Sequence, residues 1–150
     1  MTIINSTLIP DVELRQIQSH KDERGYFREV IKVSDGFFKE RFAQWSHSYK
    51  YPGYYTEQFH IHKHQVDWWY IVVGQMTAVL FDTRDSADGK FHQFVLSQDK
   101  PTVLRIPPGV AHGFKVSDNS VHMMYITSQE YNPDDEGRID LEFDWSTITI

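Results

Sequence analysis

Apolar and polar positions alternate with a period of two along much of this chain, beginning with Val12-Glu13-Leu14-Arg15-Gln16-Ile17. That period sends successive side chains to opposite faces of an extended strand. Turn residues interrupt it at Asp35-Gly36, Pro52-Gly53, Asp88-Gly89 and Pro107-Pro108-Gly109. The pattern predicts strands over 12–17, 26–33, 76–82, 91–96, 103–106, 121–127 and 139–150, with 76–82 and 91–96 closed into a hairpin by the polar loop 83–90. Residues 36–42 are the one stretch that predicts a short helix. Many short strands without helical crossovers specify an antiparallel sandwich or barrel, so the expected class is all-β. The 150 residues suit a single domain, 1–150, with no repeat or low-complexity linker.

One stretch carries chemistry as well as pattern. Residues 59–74 set His60, His62, His64 and Asp67 ahead of an apolar run, 68–73, that ends at Gly74. Read as a strand entering a buried wall, it points His60 and His62 to one face and Ile61 to the other. Two imidazoles sharing a face are a candidate site. The other histidines, His20, His47, His64, His92 and His122, are expected at the surface or in packing. Trp68 and Trp69 are expected to pack the barrel, and Asp134, Asp135 and Glu136 to form a solvated acidic turn.

Composition narrows the chemistry. Cysteine is absent, which excludes a thiol nucleophile and any need for an oxidising compartment. A net charge of −6 gives no general attraction to nucleic acid, so a bound phosphate must be met by individual Arg or Lys side chains. No apolar run approaches membrane-spanning length and residues 1–10 do not read as a signal segment. The expectation is a soluble, cytoplasmic protein with no nucleic-acid or membrane partner.

His60, His62, Asp67 and Gly74, followed by Pro107, Gly109 and His112, resemble the two-part signature of the cupins, whose fold is a jelly-roll barrel. A narrower resemblance covers almost the whole chain. Residues 22–29, 42–48, 59–60, 79–84, 106–114 and 125–133 are similar to the dTDP-4-dehydrorhamnose 3,5-epimerase family, cupins that epimerise nucleotide-linked 4-keto-6-deoxy sugars. The resemblance implies a homodimer with the sugar in the barrel and the nucleotide near the partner subunit, and no cofactor. It implies His60 as base, Tyr125 as acid and His112 as a second active-site histidine beside the enolate. It also implies Arg24 near the diphosphate, with Phe27, Glu29 and Gln44 among the substrate-binding residues.

The chain also departs from that family. Glu57-Gln58 stands where the family has Arg-Gly, His62 where it has Gln, Asp67 where it has Lys and Ser46 where it has Asn. The C-terminal segment whose Asp orients the base has no counterpart before Ile150. Residues 59–63 further resemble the His-x-His-Lys of sugar-nucleotide 3,4-ketoisomerases, in which both histidines shuttle protons, so His62 joins the catalytic candidates. Two alternatives stay open. One is a metal-dependent cupin holding Fe, Mn, Ni or Zn with His60, His62, Asp67 and His112; the other is a non-catalytic sugar-binding cupin.

Overall fold

In the computed structural model, which describes residues 3–85 and 87–149, thirteen strands form two antiparallel sheets and a separate hairpin. The first sheet runs β1 (Ile3–Ser6), β2 (Glu13–Gln16), β10 (Thr102–Ile106), β7 (Asp67–Val73), β12 (Val121–Thr127), β5 (Gln44–Lys50). The second runs β13 (Glu136–Ile139), β6 (Phe59–His62), β11 (Val110–Val116), β8 (Gln75–Asp82), β9 (Phe91–Ser97). The hairpin pairs β3 (His20–Asp22) with β4 (Gly25–Phe27). The sheets pack as a jelly roll, and no α-helix occurs among the described residues.

Alternation along each strand sorts side chains into layers. Trp69 and Ile71 of β7, Leu104 and Ile106 of β10, Ala78 and Leu80 of β8, and Val121 and Met123 of β12 meet between the sheets. Trp68 and Tyr70, one residue out of phase on β7, turn to the other side of their sheet with Val103 and Ile126. There Phe37 and Phe38 cover them, and the ion pairs Arg15–Asp35 (2.7 Å) and Arg105–Glu40 fasten that covering loop. On the outer face of the second sheet, Phe59, Val79 and Ala111 lie under Phe143, Trp145 and Ile148. Burying β7 on both faces explains why residues 68–71 read as a continuous apolar run rather than an alternating one.

Three expectations need correction. Residues 36–42 form turns rather than a helix, because Phe37 and Phe38 are drawn together into the outer core and no helical hydrogen-bond ladder forms. The extended segment predicted over 26–33 pairs only as far as Phe27; Val30 and Ile31 pack against the outer core without strand partners. The strand predicted over 139–150 is a four-residue strand, Glu136–Ile139, followed by an irregular segment with a 3-10 turn at Trp145–Thr147, capped by the Asp144 side chain; Ile150 lies outside the described residues. Its aromatic residues pack downward on the sheet instead of pairing at its edge.

Candidate active site

The stretch 59–74 is two strands in different sheets, not one. β6 ends at His62, residues 63–66 turn, and β7 begins at Asp67, so His60 and His62 face Asp67 across the barrel mouth. The Asp135 carboxylate holds that turn by accepting the backbone N–H groups of His64 (2.8 Å) and Gln65 (3.2 Å). On β11, His112 lies opposite His60 in register. Tyr125 comes from β12, next to Trp69 of β7. These residues line a cavity of about 230 Å³ together with Lys50, Thr56, Gln65, Phe114, Met123, Tyr131 and Glu136.

The four catalytic candidates, His60, His62, His112 and Tyr125, are thus brought to one cavity. His60 Nδ1 stands 3.2 Å from Glu136 Oε1. Burial holds the His60 imidazole below its ordinary pKa, with the Glu136 charge pulling partly the other way. His60 is therefore neutral at pH 7 and able to accept a proton at Nε2. His112 is buried, and desolvation lowers its pKa to about 4. Its Nδ1 lies 3.1 Å from the Val110 carbonyl, which fixes the proton on Nδ1 and leaves a lone pair on Nε2. His62 is flanked by Asp135 Oδ2, 3.5 Å from Nδ1, and by the Gln65 side-chain amide, 3.4 Å from Nε2.

Asp67 sits at the junction of these histidines. Its Oδ1 accepts from Gln65 Nε2 (2.7 Å) and its Oδ2 from Trp69 Nε1 (3.3 Å). His62 Nε2 is 4.0 Å from one oxygen and His112 Nε2 is 3.8 Å from the other. His62, Asp67 and His112 each offer a ligand atom within 4.8 Å of the others, so they could surround a cation. His60, the fourth residue of the expected metal set, lies outside this group, so a cation held by these three would leave its imidazole free.

The substrate-binding candidates are placed elsewhere. Arg24 sits in the β3–β4 hairpin, exposed and paired to its neighbour Asp22, and Phe27 and Glu29 are exposed as well. None of the three lines the His60 cavity. A shallow groove includes Arg24 and Phe27. Gln44 accepts the Tyr131 N–H (2.9 Å) and donates to Ser46 Oγ (3.0 Å), tying β5 to the rim of the cavity.

The acidic turn is not solvated throughout: Asp135 is buried and Glu136 faces the cavity. Their signal was the end of alternation at Glu136-Gly137-Arg138-Ile139, a strand too short to stand out beside Asp134 and Asp135. Trp69 lines the cavity as well as packing, whereas Trp68 is packing alone. Of the other histidines, His47 Nε2 and His122 Nδ1 pair at 2.9 Å on the outer face, and His92 meets Asp88.

The comparisons with known proteins agree with this geometry. Residues 6–149 match the family model for dTDP-4-dehydrorhamnose 3,5-epimerase. The chain is 35% identical over 150 residues to the spore coat polysaccharide biosynthesis protein SpsL of Bacillus subtilis (strain 168), covering 93% of this chain and 98% of that protein. It is 32% identical to the probable low-salt glycan biosynthesis epimerase Agl13 of Haloferax volcanii, with 87% of each covered. Among solved structures, the dTDP-4-dehydrorhamnose 3,5-epimerase from Sulfolobus tokodaii superposes with a TM-score of 0.81 at 27% identity, covering 99% of this chain and 85% of that one. With the cupin jelly roll, the His60–His112 cavity and this match over nearly its full length, the chain belongs to the dTDP-4-dehydrorhamnose 3,5-epimerase family of isomerases.

Proposed function

We propose that this chain is an isomerase that removes the proton α to the ketone of a nucleotide-linked 4-keto-6-deoxy sugar and returns a proton to give an epimer or keto isomer. The observation that carries the reading is the pair His60–Glu136, an imidazole with a carboxylate oxygen 3.2 Å from its Nδ1, opening on a cavity that also holds Tyr125. A carboxylate beside Nδ1 stabilises the imidazolium formed when the ring takes the proton. Tyr125, on a strand of the opposite sheet, would donate from the other wall. The relatives' names, which speak of dTDP-sugar epimerases and polysaccharide biosynthesis, support the same substrate class.

In this reading Arg24, with Phe27 and Glu29, meets the nucleotide of a substrate seated in a partner subunit. Their exposure on a separate hairpin away from their own chain's cavity supports a homodimer.

The His62–Asp67–His112 group supports a second reading in which a divalent cation joins the site. Both Asp67 oxygens already accept hydrogen bonds from Gln65 and Trp69, so Gln65 would have to turn aside to admit it. Incubation with a dTDP-4-keto-6-deoxy sugar in heavy water separates the readings. Chelator-treated protein should introduce deuterium at C3 or C5, or give the 3-keto isomer. His60→Ala should cost about 10²–10⁴ in that rate. Loss of exchange on chelation, restored by Mn, Fe, Ni or Zn, would transfer the assignment to the metal reading, and no exchange under either condition would leave a sugar-binding cupin.

A further inference from the structure

Lys50 is the last residue of β5, and the inward row Gln44, Ser46, Ser48, Lys50 carries its side chain to the cavity that holds His60. It is the one Lys or Arg among the residues lining that cavity. Arg15, Arg84 and Arg105, by contrast, each have a carboxylate partner. Lys50 has no such partner among the described residues; its Nζ lies 4.9 Å from the centre of the Phe114 ring. Burial draws its pKa below the ordinary lysine value. Holding a half-buried ammonium without an anion costs free energy, which a ligand anion would offset.

The inventory of donors narrows what that anion is. When His60 takes the α-proton, the C–H electron pair becomes a carbon–carbon double bond and the carbonyl π pair moves onto the ketone oxygen. That oxygen then needs a donor or a positive charge. His112 spends its proton on the Val110 carbonyl. The Gln65 amide donates to Asp67, and so does the Trp69 indole. The Thr56 hydroxyl donates to the Phe114 carbonyl (3.3 Å). His62 is enclosed by Asp135 and Gln65. Two tyrosine hydroxyls and Lys50 remain, and Asp67 and Glu136 add negative charge to the same walls.

Building on the keto-sugar reading, we propose that Lys50 is a catalytic residue, the ammonium that binds the enolate oxygen formed after proton abstraction by His60. It holds the charge electrostatically and keeps its own protons, and it is released when Tyr125 returns a proton to carbon.

The test uses the full chain and heavy-water exchange with a dTDP-4-keto-6-deoxy sugar. Lys50→Met keeps the length and apolar stem of the side chain and removes the charge. Loss of an oxyanion donor should lower kcat for exchange about 10²–10³-fold while KM and the affinity for thymidine diphosphate stay within about threefold. Lys50→Arg should recover part of the rate, and circular dichroism should show both variants folded. A raised KM with unchanged kcat would mean that Lys50 meets a fixed anion of the substrate, and would overturn the enolate role. So would a Lys50→Met chain that exchanges at the parental rate. Parental protein that exchanges no keto sugar would overturn the proposed function itself and the Lys50 role with it.

Discussion

At the scale of single residues, the informative contact is the 3.2 Å approach of Glu136 Oε1 to His60 Nδ1. Glu136 brings a carboxylate to that nitrogen from β13, the strand paired with His60's own. Burial lowers the His60 pKa and the Glu136 charge partly restores it. Glu136→Gln should therefore move the acid limb of the exchange rate to lower pH. It should also cut the rate by about 10- to 100-fold, the usual effect of losing a group that orients an imidazole. A purely structural role would lower the rate and leave the limb where it was. His60, His62 and His112 stand out in the sequence by their fixed spacing and Tyr125 only by the family resemblance, and the four line one cavity. Glu136 and Lys50 do not stand out: a carboxylate after two aspartates looks solvated, and a lysine at a strand end looks like a solvent cap. Only the three-dimensional closure of the barrel brings either to the His60 cavity.

Among the elements, β7 and β8 illustrate how tight connections set the site. Gly74 joins them with φ +92°, and a Cβ there would fall 2.4 Å from the Ser120 carbonyl oxygen. Both the backbone conformation and the contact exclude a side chain. Gly74→Ala should destabilise the fold by about 1–3 kcal/mol or more, read from urea denaturation. A midpoint shift near zero would mean that the β7–β8 turn can relax at no cost. The same stretch shows where periodicity misleads. Residues 59–74 look continuous because 63–66 contain neither Gly nor Pro, yet Asp135 reaches across to bind two backbone N–H groups and turns the chain there. A turn held from a distance of seventy residues leaves no local mark.

For the molecule as a whole, an antiparallel sandwich or barrel was readable from strand count and the lack of crossovers, and the jelly roll from the cupin resemblance, whereas the outer layers were not. Phe37, Phe38, Phe143 and Trp145 belong to irregular segments that cover the outer sheet faces, and irregular backbone has no period to read. Burial of His112 has a consequence at this scale. Its folded pKa, about 4, lies below the ordinary value near 6.5 that the unfolded chain would show. The unfolded chain binds that proton as pH falls through about 6.5, and the folded chain not until about 4. Stability should thus be fully present above about pH 6.5 and decline steadily toward pH 4, with His60 adding to the trend. Urea midpoints measured between pH 7.5 and 4.5 should fall accordingly, and a flat profile would show that His112 is solvated.

The four residues of β13 form the outermost strand of their sheet and pair only with β6. Glu136 on that strand serves His60, and Asp135 at its start serves His62 and the turn beyond it. Edge strands are among the first elements to open, at free energies well below global unfolding. Fraying here would disarm both imidazoles at once while the layered core stayed intact. On the proposed chemistry, competence and persistence of the fold would then be separate thresholds, the lower one set by the hem of a sheet.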